Sequence, residues 1–281
     1  MFHRLSTGWQ LALQSFHVLR LDKELLLFPV LSSVACVLVL ATFAVPLLYT
    51  EGLFALEDST LTENPGAIVV LFVFYSVNYC VIVFFNSALV ACAMIRFKGG
   101  NPTLGDGLRA ASRRMPQIAG WALVSATVGL ILRIIESRSE RFGQIVAGIL
   151  GMAWTVTTYF VVPILVVERA GPFEAMQRSV SLMKRTWGES LSATFSAGFI
   201  NFVLSLPGIL LFFSGVFMMV SGNSSFGVVL IGGGIVLLVV ASLISSAVNA
   251  ILLAAIYLYA TERDVPEYFD RDLIAHSFAR G

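Results

Sequence analysis

Side chains able to carry chemistry are few in this sequence, and they are scattered. His3, His17 and His276 stand far apart, and none belongs to a metal-ligand spacing. The chain has no GxSxG elbow, no phosphate-binding Walker sequence and no dinucleotide fingerprint. Cys36, Cys80 and Cys92 form no CxxC pair and have no histidine near them, so they read as small apolar core residues rather than disulfide partners or ligands. The expectation is a protein that is not an enzyme, with no catalytic residue, no cofactor and no metal.

The remaining polar groups of interest are amides. Asn78, Asn86, Asn201 and Asn249 lie deep in uncharged tracts, accompanied by Ser205, Ser242, Ser245 and Ser246. An amide in hydrocarbon needs a hydrogen-bond partner. Such residues therefore tie helices together or line a path for a neutral substrate. Ala241, Ser245 and Asn249 make one small or polar ridge at i, i+4 and i+8, which lets a neighbouring helix approach closely. Pro207 followed by Gly208 either opens its helix, freeing carbonyls for an ion, or simply kinks it. Gly232, Gly233 and Gly234 serve close packing or a local irregularity.

The elements that must position these groups follow from charge distribution. Of 281 residues, 57% are apolar and only 12% charged, against roughly 25% charged in an ordinary soluble domain. The mean hydropathy is +0.86. This composition excludes a nucleic-acid binder, a disordered regulator and a disulfide-built secreted module. Runs free of Asp, Glu, Lys and Arg extend over 25–50, 64–95, 115–132, 142–167 and 190–261. A bilayer crossing needs roughly 20 residues. The last run holds two crossings, because Ser221, Gly222, Asn223, Ser224, Ser225 and Gly227 interrupt it.

The resulting fold class is an all-α integral membrane protein with six transmembrane helices, read as a single membrane domain over 1–281. The spans are expected at about 27–49, 68–95, 117–135, 144–167, 192–220 and 228–260. All but three of the 18 Lys and Arg residues fall on one side of these spans. The exceptions, Arg133, Arg138 and Arg141, sit beside Glu136 and Glu140, and the first loop on that side carries Glu51, Glu57, Asp58 and Glu63. The positive-inside rule then gives a multi-pass plasma-membrane protein with both termini cytoplasmic. The first apolar tract reads as an uncleaved anchor rather than a signal peptide.

Three short amphipathic segments precede the hairpins, at about 4–20, 103–115 and 173–187. In the first, Leu5, Trp9, Ala12, Phe16 and Leu19 share a face. In the third, Phe173, Met176, Val180, Met183 and Trp187 do so. Aromatic and methionine side chains opposite Arg113, Arg114, Arg178, Lys184 and Arg185 suit helices lying at the membrane surface, in contact with the lipid bilayer and its anionic headgroups. The alternative is a cap packed on the ends of the bundle. A serine recurs at Ser15, Ser112 and Ser179, consistent with either a triplicated helix-plus-hairpin unit or the common polarity of connectors.

Several phrases together resemble an uncharacterised prokaryotic membrane-protein family (domain of unknown function 6159). They are Gly8-Trp9, Ser15-Phe16, Leu19-Arg20-Leu21-Asp22-Lys23-Glu24-Leu25, Phe28-Pro29, Gly99-Gly100-Asn101-Pro102-Thr103, Gly107-Leu108, Trp121, Ala153-Trp154, Phe160-Val161-Val162-Pro163, Arg178-Ser179 and Lys184-Arg185-Thr186-Trp187-Gly188-Glu189. The resemblance implies an integral membrane protein and carries over no catalytic or binding residue. Two function classes follow from the residues: a noncatalytic membrane-organising or interaction protein, with its protein partner unspecified, or a transporter or channel for a neutral or lipid-like substrate.

Overall fold

The computed structural model describes residues 2–49, 65–137, 142–222 and 224–262. Helix α1 spans Phe2–Leu21, and a 3-10 turn over Lys23–Leu26 leads into α2, Leu27–Tyr49. Next come α3, Pro65–Phe97, the short α4, Leu104–Ser112, and α5, Met115–Ser137. The fourth apolar tract is divided into α6, Phe142–Thr157, and α7, Val161–Val167. The chain continues as α8, Pro172–Arg185, α9, Trp187–Val220, and α10, Ser224–Glu262. Among the described residues there is no strand, and six helical segments are long and apolar enough to cross a membrane.

Burial runs opposite to a water-soluble globule. Val37, Phe213, Phe217 and Val229 are each more than 60% exposed, whereas Ser15, Ser87, Ser125 and Ser179 are buried. In water such apolar surface is an aggregation liability; in a bilayer it faces the solvent it matches. Small residues fill the interior, among them Ala88, Ala93, Ala122, Ala126, Ala247 and Ala254. They let backbones approach, which drives association where lipid tails remove the hydrophobic incentive.

The contacts group into two compact units. The first comprises Met1–Pro29, Phe97–Gly99 and Thr186–Gly281, and the second Val30–Arg96 and Gly100–Arg185. In the first unit α9 and α10 form a hairpin whose turn contains Gly222 at φ 89, and α1 packs against both helices. The hairpin closes on paired glycines. A Cβ placed on Gly208 would lie 3.1 Å from the Gly234 carbonyl oxygen, and one on Gly215 would lie 2.8 Å from that of Gly227. Both helices thus present a glycine every seventh residue, in antiparallel register, and the series continues to Ala241, which is buried. Gly232 and Gly233 have open space above them.

In the second unit α8 packs on α5, α6 and α7. Trp121 of α5 and Trp154 of α6 stack with centroids 5.6 Å apart and planes within 6°. Phe43 of α2 meets Phe74 of α3 edge to face at 5.5 Å. Helix α4 begins on a reciprocal cap: the Asp106 amide donates to Thr103 Oγ1, and the Thr103 amide donates to the Asp106 carboxylate. The Thr103 hydroxyl, donating to the same carboxylate at 2.7 Å, and then the Thr103 amide hold the Asp106 carboxyl below its ordinary pKa. The buried Cys92 thiol of α3 donates to the Thr103 carbonyl at 3.4 Å, fixing the start of α4 on that span.

Among the described residues, the fourth span is broken between α6 and α7. Thr155, Thr157 and Thr158 turn their hydroxyls back onto the carbonyls of Gly151, Ala153 and Trp154, at 2.9, 2.7 and 2.8 Å. Such back-bonding weakens and bends a helix, and Pro163 removes the amide that would bond the Tyr159 carbonyl. By contrast α9 is helical throughout its length with Pro207 inside it. No run of threonines flanks that proline, and Gly208 beside it is clamped against Gly234 and Leu238.

Candidate functional site

Two sets of polar side chains can be followed from sequence into structure: the deep amides and the basic residues of the short helices. Two of the four amides are satisfied locally. Asn78 donates from Nδ2 to the Phe74 carbonyl of its own helix at 3.1 Å. Asn201 of α9 accepts the Ser245 hydroxyl of α10 at 2.7 Å and that of Ser205 at 3.5 Å, so it joins the two halves of the hairpin. An interhelical bond of this kind contributes about 0.6 kcal/mol in a membrane protein. Asn86 is half-buried and Asn249 exposed, and neither has a hydrogen-bond partner among the described residues. Asn78 and Asn86 belong to the second unit, Asn201 and Asn249 to the first.

Asn249 opens on a cavity of about 180 Å³ within the first unit. Leu13 and Phe16 of α1, Ala197 and Ile200 of α9, and Ile244 and Val248 of α10 form its walls. Ser245 and Asn249 supply the polar edge. The Arg20 guanidinium lies 5.0 Å from the centroid of the Phe16 ring.

The basic residues divide by role. Arg109, Arg113, Lys184 and Arg185 are exposed. Arg178 is also exposed and pairs with Glu168 at 3.3 Å. Arg114 is turned inward, its Nε donating to the Val166 carbonyl at 3.2 Å, which satisfies a C-terminal carbonyl of α7. Burial, then the neighbouring charges of Arg169 and Arg113, hold its pKa below the ordinary arginine value. Arg114 is thus a strut from the connection between α4 and α5 to α7. Trp9 lies within α1 and Trp187 opens α9; their side chains lie outside the described residues, as do Glu51, Glu57, Asp58, Glu63, Arg138, Glu140, Arg141 and the segment 263–281. Arg133 pairs with Glu136 at 4.0 Å.

The buried face of α8 is rotated from the stripe read in sequence. Ala175, Ser179, Leu182 and Met183 are buried, Met176 and Val180 are half-buried, and Phe173 is 67% exposed. Ser179 explains the rotation. Its Oγ accepts the Phe160 amide at 3.0 Å, inside the break between α6 and α7. A backbone group unwound in an apolar setting must find such a partner. Helix α8 therefore seals the broken span with a serine and leaves Phe173, Lys184 and Arg185 outward. Ser15 of α1 is equally buried against its own unit, while Ser112 of α4 is exposed and Ala111 takes the buried position there.

Among the described residues no three His, Cys, Asp or Glu side chains gather where they could hold a metal ion. The model of a family described as a family of unknown function (DUF6159) matches residues 66–265, most of the chain. The chain belongs to the DUF6159 family. No curated protein matches it, and no solved structure does. The DUF6159 match runs from the first turn of α3 past the end of α10. It thus contains Ser179, the paired glycines, Asn201 and Asn249, and begins after α1 and α2.

Proposed function

We propose that this integral membrane protein has a noncatalytic, membrane-organising role, in which cytoplasmic basic helices engage anionic headgroups and the six-helix domain anchors them. The termini are then cytoplasmic, as the distribution of Lys and Arg implies. The observation that carries the reading is the double character of α8. It is pinned to the spans through Ala175, Ser179 and Leu182, yet Phe173, Lys184 and Arg185 remain outward. Exposed Arg109 and Arg113 at the end of α4 add to the same charge. A rigidly held cation near an anionic surface contributes about 1 kcal/mol, so four give a strong local preference.

A transport path through the asparagines has less support, because Asn201 is engaged by Ser245 and Asn78 by its own helix. The test is annular lipid composition. Spin-labelled phosphatidylglycerol is expected to be enriched over phosphatidylcholine around the protein, with enrichment falling as salt rises. Replacing Arg109, Arg113, Lys184 and Arg185 together by glutamine is expected to abolish most of that preference. Equal enrichment by the parent and this variant would contradict the proposal.

A further inference from the structure

The cavity between α1, α9 and α10 differs in kind from the basic surfaces of α4 and α8. Its walls are aliphatic and aromatic, and its 180 Å³ compares with a dry cavity of about 150 Å³ able to hold benzene. That is room for a stretch of hydrocarbon chain. The rim is accessible, since Leu13 and Asn249 are both exposed.

Its position along α10 is informative. Val228, Val229, Ile235, Val236, Leu237, Val239 and Val240 are exposed, as for a helix in lipid. From 247 to 258, by contrast, Asn249 is the one exposed residue. An amide at the boundary between these stretches, with no hydrogen-bond partner among the described residues, lacks the satisfaction that a membrane setting requires. Arg20, one turn beyond Phe16 on α1, sets an exposed cation beside the Phe16 ring that walls the cavity. Apolar walls, an amide on the lining and a cation beside it match in kind the acyl chain, ester carbonyl and phosphate of a glycerophospholipid.

We infer that this cavity holds one acyl chain of an anionic glycerophospholipid, with the Asn249 amide donating to an ester carbonyl and Arg20 facing the phosphate. The site rests on the placement of α1 at an anionic leaflet, but not on the cations of α4 and α8.

The experiment uses the full chain in nanodiscs doped with phosphatidylglycerol or phosphatidylcholine bearing a mid-chain diazirine, with labelled residues located by mass spectrometry. Label from phosphatidylglycerol is expected to concentrate on the cavity segments around Leu13, Ile200 and Val248, well above that on the exposed Phe213 and Phe217. Ala197→Phe fills the space and is expected to bring cavity label to the level of those exposed positions. Ile244→Trp, a second way to fill it, should do the same if the first variant misfolds. Arg20→Gln should remove about a fivefold preference for the anionic probe, the worth of one surface cation. Neither filling variant should alter the salt-sensitive headgroup enrichment tied to Lys184 and Arg185. Uniform labelling of lipid-facing residues, label that survives both filling variants, or equal uptake of both probes by the parent protein would overturn the assignment.

Discussion

Leucine at Gly215 or Gly227 is expected to force α9 and α10 apart and cost the protein about 3 kcal/mol, the upper end of the usual cost of overpacking. The cost is set by which atoms are met. A Cβ at Gly215 would fall 2.7 Å from the Ile231 backbone nitrogen and 2.8 Å from the Gly227 oxygen. A Cβ at Gly227 would fall 2.5 Å from Met219 Cγ and 2.8 Å from the Gly215 oxygen. Methionine can move, but the facing backbones cannot do so without opening the hairpin along its length. The adjacent triplet supplies an internal control. Gly232 and Gly233 meet nothing within 4 Å, whereas a Cβ on Gly234 would lie 2.7 Å from the Phe212 nitrogen. Alanine at 232 or 233 should therefore be neutral or slightly stabilising, since it improves helix propensity, and alanine at 234 should destabilise. Unfolding midpoints in bicelles measure all five variants. A uniform response across the triplet would show that the close approach is not what the hairpin depends on.

Removing the Ser179 hydroxyl is the second large effect. Ser179→Ala leaves the Phe160 amide without its partner in a place where both residues are fully buried, which costs about 1–3 kcal/mol. The loss should be local before it is global. Amide exchange at Phe160 should accelerate and the packing of α8 on α7 should loosen, while Ser179→Thr, which retains the oxygen, recovers much of the protection. Ser112→Ala provides the comparison, because Ser112 occupies the corresponding sequence phrase but is exposed. If the two alanine variants behave alike, Ser179 is not the seal of the broken span.

The existence of the six apolar helices was legible because charge is excluded from them, and exclusion from hydrocarbon acts on every residue of a span. What escaped sequence reading depends on pairing between elements. Gly208 and Gly215, and Gly227 and Gly234, carry a seven-residue spacing visible in the sequence, but its meaning requires the register of an antiparallel hairpin. Pro207, whose type admits either an opened helix or a simple kink, makes the same point. A proline removes one amide wherever it stands, yet the helix opens at Thr158–Phe160, where threonine hydroxyls compete for the preceding carbonyls and Ser179 stands ready to satisfy the freed amide.

The basic residues were legible as a group and not one by one. Arg114 adjoins Arg113 in sequence, but the first points to Val166 and the second to solvent. Likewise the stripe of Phe173, Met176 and Val180 marks α8 as amphipathic without revealing that its small face, centred on Ala175 and Ser179, is the one that packs. Small residues carry little hydropathy signal, and in a membrane protein they are the ones that allow contact.

The proposed role requires the basic helices to share the cytoplasmic side, and side-specific labelling tests that directly. Single cysteines introduced at Arg113 and Lys184, both exposed, are measured against one at Asp58 of the first acidic loop, using a membrane-impermeant maleimide. Lys184→Cys and Arg113→Cys are expected to react in inverted vesicles but not in intact cells, with Asp58→Cys showing the reverse. Labelling of Lys184→Cys in intact cells would contradict the orientation and, with it, the proposed engagement of the cytoplasmic leaflet.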